Sequence, residues 1–247
     1  MNLKGQIAIV TAAGQGMGRG IAEKLALEGA FVVVTGRTAE KVQETARIIE
    51  SKGGKAFAVK ADNSKVADIK HMFDECKAHF GAPDILVANV GVMNPMTPLT
   101  QITEEDYYQV YEPNAKGTMF CLKEAGLQLK DGGRIVAITS ASARNPQKRM
   151  GVYSSSKAAI MNMVEVAAQE FADRNIRVNS VLAGLTETPT MLAYLPQPFL
   201  KVIAEQTPLK RIGTAEDIAG VVAFLCSADS KWVTGQHIMA NGGSICF

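Results

Sequence analysis

Short runs of apolar residues alternate with longer amphipathic stretches from one end of the chain to the other. Seven of the runs, residues 7–11, 31–35, 56–60, 85–89, 134–140, 177–182 and 236–240, read as strands. Several are unbroken runs of Val, Ile and Ala, as a strand covered on both faces requires. The intervening segments carry the helical period, so the pattern predicts parallel strands joined by helical crossovers. Two helix starts are marked by Thr103-x-x-Asp106 and Thr214-x-x-Asp217, where a hydroxyl and a carboxylate satisfy free amides of the first turn. Thr38 and Ser64 are single capping candidates. Pro113 interrupts the helical pattern that follows Thr103; it has no amide to offer the carbonyl of Gln109, so a break or kink is expected there. Residues 186–208 carry Pro189, Pro196, Pro198 and Pro208 among apolar positions and are expected to form an irregular flap, because strand and helix patterns resume after them.

A chain of 247 residues can bury about 70–75% of its unfolded surface in one core, which fits a single α/β domain or two small ones; as no repeat, low-complexity tract or long charge run divides it, a single domain over residues 1–247 is expected. Its 26 basic and 24 acidic side chains leave a net charge of +2, which excludes nucleic acid as the main partner. The apolar run at 218–226 is far shorter than the ~18 residues of a membrane span. The four apolar residues after Gln6 fall short of the about 7–15 of a secretory leader. No membrane segment and a cytoplasmic location are therefore expected. Cysteines 76, 121, 226 and 246 contain no C-x-x-C pair and read as reduced thiols, and with three scattered histidines no metal site is expected.

The first predicted strand runs into Thr11-Ala12-Ala13-Gly14-Gln15-Gly16-Met17-Gly18, and a helical pattern follows. Glycines at such a turn let backbone amides approach a pyrophosphate, to which the helix N-terminus adds partial positive charge; a tight turn without a ligand is the plainer alternative. The second strand ends Val34-Thr35-Gly36-Arg37. An acid there would accept from the ribose 2′ hydroxyl of NAD, whereas a guanidinium would pair with the 2′ phosphate of NADP. Further on, Tyr153 and Lys157 stand at i and i+4 in Tyr153-Ser154-Ser155-Ser156-Lys157, with Ser140 thirteen residues before the tyrosine. Tyrosine and lysine at that spacing share one helix face, so the ammonium is expected beside the phenol, lowering its pKa from about 10.

Taken in order, the glycine turn, Asn114, Ser140, Tyr153 and Lys157 resemble the short-chain dehydrogenase/reductase family, and the likeness runs from Leu3 to Gly243. Ala12 stands where the family turn T-G-x-x-x-G-x-G has its first glycine. Ala88-Asn89-Val90-Gly91 is similar to N-N-A-G, and the segment from Arg177 to Thr188 is similar to R-V-N-x-V-x-P-G-x-x-x-T, with Ala183 in place of the proline. The resemblance implies a Rossmann-type, doubly wound parallel α/β sheet of about seven strands. It implies Tyr153 as general acid or base, Lys157 also holding the nicotinamide ribose, Ser140 orienting the carbonyl or alcohol, and Asn114 anchoring a relay water. Cofactor contacts are implied for Gly14, Gln15, Gly16, Met17, Gly18, Arg37, Asp62, Asn63, Asn89, Gly91, Gly184, Thr186 and Thr188, with Asp62 toward the adenine amino group and Thr188 toward the nicotinamide carboxamide. Gly36 stands where NAD-preferring members carry the acid, so NADP(H) is expected, with NAD(H) as the alternative.

The expected reaction interconverts a ketone and a secondary alcohol; a dinucleotide-binding regulator without chemistry and an NAD-preferring alcohol dehydrogenase are the alternatives. Too few residues follow Thr188 for the extra substrate domain of an epimerase. The substrate is expected between residues 92–99, residues 141–152 and the flap, against Met93, Met96, Met150, Met191, Leu192, Tyr194 and Phe199. Arg144, Lys148 and Arg149 read as solvated loop charges or as attraction for an anionic substrate. By resemblance, helices within 103–127 and 152–174 pair copies of the chain into a homotetramer.

Overall fold

The protein is described by a computed structural model over residues 1–93 and 96–244, without the side chains of Thr190 and Tyr194. Among the described residues seven strands form one parallel sheet: β1 (Ile7–Val10), β2 (Phe31–Gly36), β3 (Lys55–Lys60), β4 (Ile85–Ala88), β5 (Arg134–Ser140), β6 (Arg177–Ala183) and β7 (His237–Ala240). Their spatial order is β3-β2-β1-β4-β5-β6-β7. Each lies within one residue of its predicted bounds. Ile9 pairs with Val33 on one side and with Leu86 on the other, so β1 is the strand at which the winding reverses. In a doubly wound sheet the ligand crevice opens at that switch, beyond the carboxyl ends of the strands.

The helices α1 (Gly16–Leu27), α2 (Ala39–Ser51), α3 (Val66–His79), α4 (Glu104–Tyr111), α5 (Gly117–Gln128), α6 (Gly151–Glu170), α7 (Pro189–Tyr194), α8 (Gln197–Gln206) and α9 (Ala215–Cys226) connect or flank the strands. Alternation of side chains along each strand divides the core in two. Ala8 and Val10 join Ile21 and Leu25 of α1 and Ile218 and Val222 of α9 on one face. Ile7 and Ile9 join Phe73 of α3, Leu122 of α5 and Ile160 and Val164 of α6 on the other. Each fully buried Val, Leu or Ile contributes about 1.5–3 kcal/mol, and the two-faced burial explains the unbroken apolar runs.

Both predicted capping boxes form, at Thr103 with Asp106 and at Thr214 with Asp217. Thr38 is an N-cap by backbone only, and Ser64 does not cap: its hydroxyl donates to Asp62 Oδ1 (2.9 Å), and Lys65 precedes α3. Pro113 does interrupt its helix, as a π-helical turn over Glu112–Lys116 between α4 and α5. The expected irregular flap is corrected, because most of it is the helices α7 and α8. Pro189 and Pro198 stand in the first turns of these helices, where an amide has no intrahelical partner to lose; Pro196 is the N-cap of α8, and Pro208 follows its end.

Among the described residues no helix is long and apolar enough to cross a membrane. Cys76, Cys121 and Cys226 are buried free thiols, and burial pushes each up to about 12. Cys246 lies outside the described residues.

Candidate active site

Helix α6 crosses the ends of β4 and β5, and this crossing assembles the chemical groups. Ser140 is the last residue of β5, in extended conformation, and its Oγ accepts from the amide of Ser142 at 3.2 Å, starting a single 3₁₀ turn over Ala141–Ala143. The chain then enters α6, whose first turn carries Tyr153, and Ser140 is the polar side chain that acts on its phenol.

Lys157, one turn further along, is 2% exposed. Its ammonium does not sit on the phenol, which corrects the expected pairing. It donates to the carbonyls of Val90 (2.8 Å), just past the end of β4, and Ile138 (2.9 Å), near the end of the adjacent β5. A buried cation must be hydrogen-bonded, and these carbonyls face the helix where it crosses. Burial with only neutral acceptors lowers Lys157 to about 7. Burial likewise raises the Tyr153 phenol above its ordinary 10.0, opposed by the Ser140 hydroxyl. The serine, rather than the lysine, is therefore the group acting against burial in this state.

Asn114, in the π turn and fully buried, is a brace. Its Oδ1 accepts from Val92 N (2.8 Å), and its Nδ2 donates to Val92 O (2.9 Å) and to Ser156 Oγ (3.1 Å). Both amide hydrogens are thus committed to protein, so a relay water would have to donate to the spare lone pair of Oδ1. The brace locks the segment after β4 to α6 one residue from Lys157.

The glycine turn lies at the winding switch between β1 and β4. Gly16 has φ +56°, and a Cβ there would sit 3.3 Å from Thr188, so the turn and the flap meet closely. A Cβ on Gly18 would lie 2.3 Å from Ala12 O and 2.5 Å from Asn89 Nδ2. Ala12 adopts φ +50°, a left-handed conformation that costs an L-residue about 1–2 kcal/mol. It is held by Ala13 N donating to Thr35 O (2.8 Å) and by Asn89 Nδ2, which donates to Thr11 O (3.1 Å) and Ala12 O (3.4 Å). Asn89 Oδ1 is buried without a partner, and the first turn of α1 has no acidic residue. An orphaned acceptor beside a close-approach glycine turn and an acid-free helix N-terminus fit a dinucleotide there.

Other predicted contacts separate into two groups. Arg37 is exposed, and its guanidinium has no partner among the described residues. Gly91 is open beside the Lys157 ammonium, which a Cβ at that position would meet at 3.5 Å. Gln15 is held by Lys41 Nζ at 2.7 Å, and Met17 packs on the core, so its backbone alone faces the turn. Asp62 Oδ1 accepts from Ser64 N and Oγ. The Asn63 side chain is turned into the fold, donating to Pro113 O (3.4 Å) and accepting from Cys121 Sγ (3.6 Å). Thr186 donates to Gly184 O (3.0 Å), and Thr188 caps α7 through Met191 N (3.1 Å).

A family model described as enoyl-(acyl carrier protein) reductase matches residues 11–244. The chain is 38% identical to a hydroxynaphthalene reductase-like protein, Arp2, of Metarhizium brunneum, over 99% of this chain and 96% of that one. Among solved structures it is similar to a putative short-chain alcohol dehydrogenase of Sinorhizobium meliloti (TM-score 0.93, 34% identity, 98% of this chain and 97% of that one). It is also similar to the angucycline C-6 ketoreductase LanV with bound NADP (TM-score 0.92, 35% identity, 98% and 96%). The chain belongs to the short-chain dehydrogenase/reductase family. It is therefore an NAD(P)-dependent oxidoreductase acting on CH–OH or C=O groups.

Within this short-chain dehydrogenase/reductase, several working groups escape a reading of the sequence. Arg19 braces the glycine turn through Gly14 O (2.8 Å) and Thr45 Oγ1 (3.1 Å). Ser142 and Ser156 contact the predicted site residues, and only Ser142 leaves a trace, as a second serine two positions beyond a strand-ending one. In the segments expected to hold the substrate, Met93, Met96, Leu192 and Phe199 are exposed, and Thr97 N donates to Arg149 O (3.0 Å), joining the loops after β4 and β5. Tyr194's side chain and residues 94–95 lie outside the described residues. A cavity of about 430 Å³ lies elsewhere, under α8 between Leu185, Ile203, Ile218 and Met239, and no catalytic candidate lines it.

Replacing Asn114 with Ala leaves Val92 and Ser156 short of partners and should cost about 2–3 kcal/mol, lowering Tm by about 5–10 °C. A thermal scan of the variant checks this, and an unchanged Tm would show that the brace carries no stability.

Proposed function

We propose that the chain interconverts a ketone and a secondary alcohol with NADP(H), using Tyr153 as the proton donor and acceptor. The observation carrying this reading is the convergence of the Ser140 hydroxyl at the end of β5, which acts on the Tyr153 phenol of α6, with the buried lysine one turn further along that helix. Two hydroxyls so placed can both address one substrate oxygen. When bound, the nicotinamide supplies or accepts hydride at the substrate carbon. In reduction Tyr153 gives its Oη proton to the carbonyl oxygen while Ser140 donates a hydrogen bond to that oxygen. A phenol whose pKa is raised keeps its proton at neutral pH and is ready to act as the acid. Lys157, when protonated, favours the tyrosinate left behind, and its remaining N–H is available to a ribose hydroxyl beside Gly91. Asn114 holds α6 in place and offers Oδ1 to a relay water. In oxidation each proton moves the other way.

Gly14, Gln15, Gly16, Met17, Gly18, Asn89 and Gly91 would take the dinucleotide along the switch, with Thr186, Thr188 and Gly184 covering its nicotinamide end. Asp62 and Asn63 would meet the adenine, Asn63 through its backbone because its side chain is committed. The unpartnered Arg37 supports a 2′ phosphate, as does the NADP in the LanV structure. The reductase named in the Metarhizium relative and the ketoreductase LanV support carbonyl reduction. Exposed Tyr107, Tyr108, Met119, Leu127 and Val166 on α4, α5 and α6 support a homotetramer built on those helices.

Tyr153→Phe should reduce turnover of a ketone panel by about 10²–10⁴-fold while the dissociation constant for NADPH, read by fluorescence titration, stays within a fewfold. Turnover near that of the unaltered chain would remove the proton-transfer role. Initial rates should give kcat/KM for NADPH at least about tenfold above that for NADH, and Arg37→Ala should narrow the ratio. A preference for NADH would overturn the NADP reading.

A further inference from the structure

Ser140 is the hydroxyl on which the proposed chemistry turns, and a second hydroxyl lies against it. Ser142 Oγ donates to Ser140 Oγ at 2.9 Å, and the Ser142 amide donates to the same oxygen at 3.2 Å. A serine oxygen has two lone pairs and one hydrogen. The amide can only donate, so it always occupies one lone pair. When the Ser142 hydroxyl takes the other, Ser140 has no acceptor capacity left, and its single hydrogen must point outward. The group on which the Ser140 hydroxyl acts as a donor is the Tyr153 phenol, whose rise in pKa it opposes. Without the Ser142 hydroxyl, Ser140 keeps a vacant lone pair and can rotate to accept from the phenol, which leaves the substrate oxygen without that donor.

We propose that Ser142 is a positioning residue that fills the second lone pair of Ser140 Oγ and so directs the Ser140 hydrogen outward, to Tyr153 in the free enzyme and to the substrate oxygen once substrate is bound. This rests on the assignment of Ser140 and Tyr153 to proton transfer. The local backbone suits the task. Ser140 is extended, the 3₁₀ turn over Ala141–Ala143 brings residue 142 back over residue 140, and Ser142 is half-buried, so water does not freely compete for the contact. Both Ser142 contacts come from the same residue, so the turn retains its amide bond when only the hydroxyl is deleted. That separates the hydroxyl's role from folding of the turn. Hydrogen bonds in series also polarise one another, so a donor into Ser140 strengthens Ser140 as a donor in turn.

The test compares Ser142→Ala, Ser142→Thr and Tyr153→Phe in steady-state oxidation of a secondary alcohol across pH. Oxidation needs the phenolate, so kcat/KM rises with pH through the apparent pKa of the phenol in the free enzyme, where the Ser140 hydrogen faces it. A weaker Ser140 donor stabilises that phenolate less and moves the kcat/KM limb to higher pH. Ser142→Ala should lower kcat roughly tenfold, shift the limb to higher pH, and leave NADP affinity by fluorescence titration unchanged. Ser142→Thr, which keeps the hydroxyl, should restore both kcat and the limb. An inactive Tyr153→Phe combined with an unaltered rate and pH profile for Ser142→Ala would overturn the role of Ser142 alone. An active Tyr153→Phe would overturn the proton-transfer assignment and this proposal with it.

Discussion

A single ammonium lodged between two strand-end carbonyls fixes the relation on which the site depends. Lys157 donates to Val90 O, two residues past the end of β4, and to Ile138 O in β5, the neighbouring strand of a parallel sheet held in register by pairs such as Ala88 with Ala137. The contact pins α6 across both strands, and once the helix is pinned, Tyr153 one turn earlier falls beside Ser140 at the end of β5. Burying an ion without a counter-ion costs several kcal/mol even after relaxation. That cost is reflected in the lowering of Lys157 to about 7. Asn114 shares the load: it ties Val92 to Ser156, next to the lysine, so the helix is held from both the sheet and the π turn.

The nucleotide end is built on the opposite plan, in which the backbone has strain and few side chains intervene. Ala12 takes a left-handed φ, Gly18 leaves no room for a Cβ against Ala12 O, and Asn89 holds the turn while keeping one acceptor unused. Rigid side-chain bonding at one end and an open, amide-lined turn at the other suit a proton-transfer group and a polyanion respectively. Both lie at the carboxyl edge of the strands because every strand is parallel and the winding reverses at β1.

Much of this is legible in residue order. Runs of Val and Ile buried on both faces mark the strands to within a residue, and the Thr-x-x-Asp boxes mark α4 and α9, because these signals are local. The flap is misread from sequence because proline breaks a helix in its interior yet suits its first turn, and residue order alone does not say which of the two Pro189 and Pro198 occupy. Spacing places Tyr153 and Lys157 on one face but cannot reveal that carbonyls of Val90 and Ile138 claim the ammonium, since every residue has a carbonyl and none advertises its direction. Asn63 looks like a nucleotide contact for the same reason; its commitment to Pro113 O and Cys121 depends on how α3 and α5 pack.

The buried state of Lys157 is open to direct measurement. A side-chain NMR titration of the ligand-free protein, with the Lys157 resonance assigned by Lys157→Arg, should find its ammonium losing the proton near pH 7, because it is buried and its partners among the described residues are neutral carbonyls. Titration at the ordinary lysine value of 10.5 would contradict the placement of the ammonium between the two strands and the geometry that follows from it.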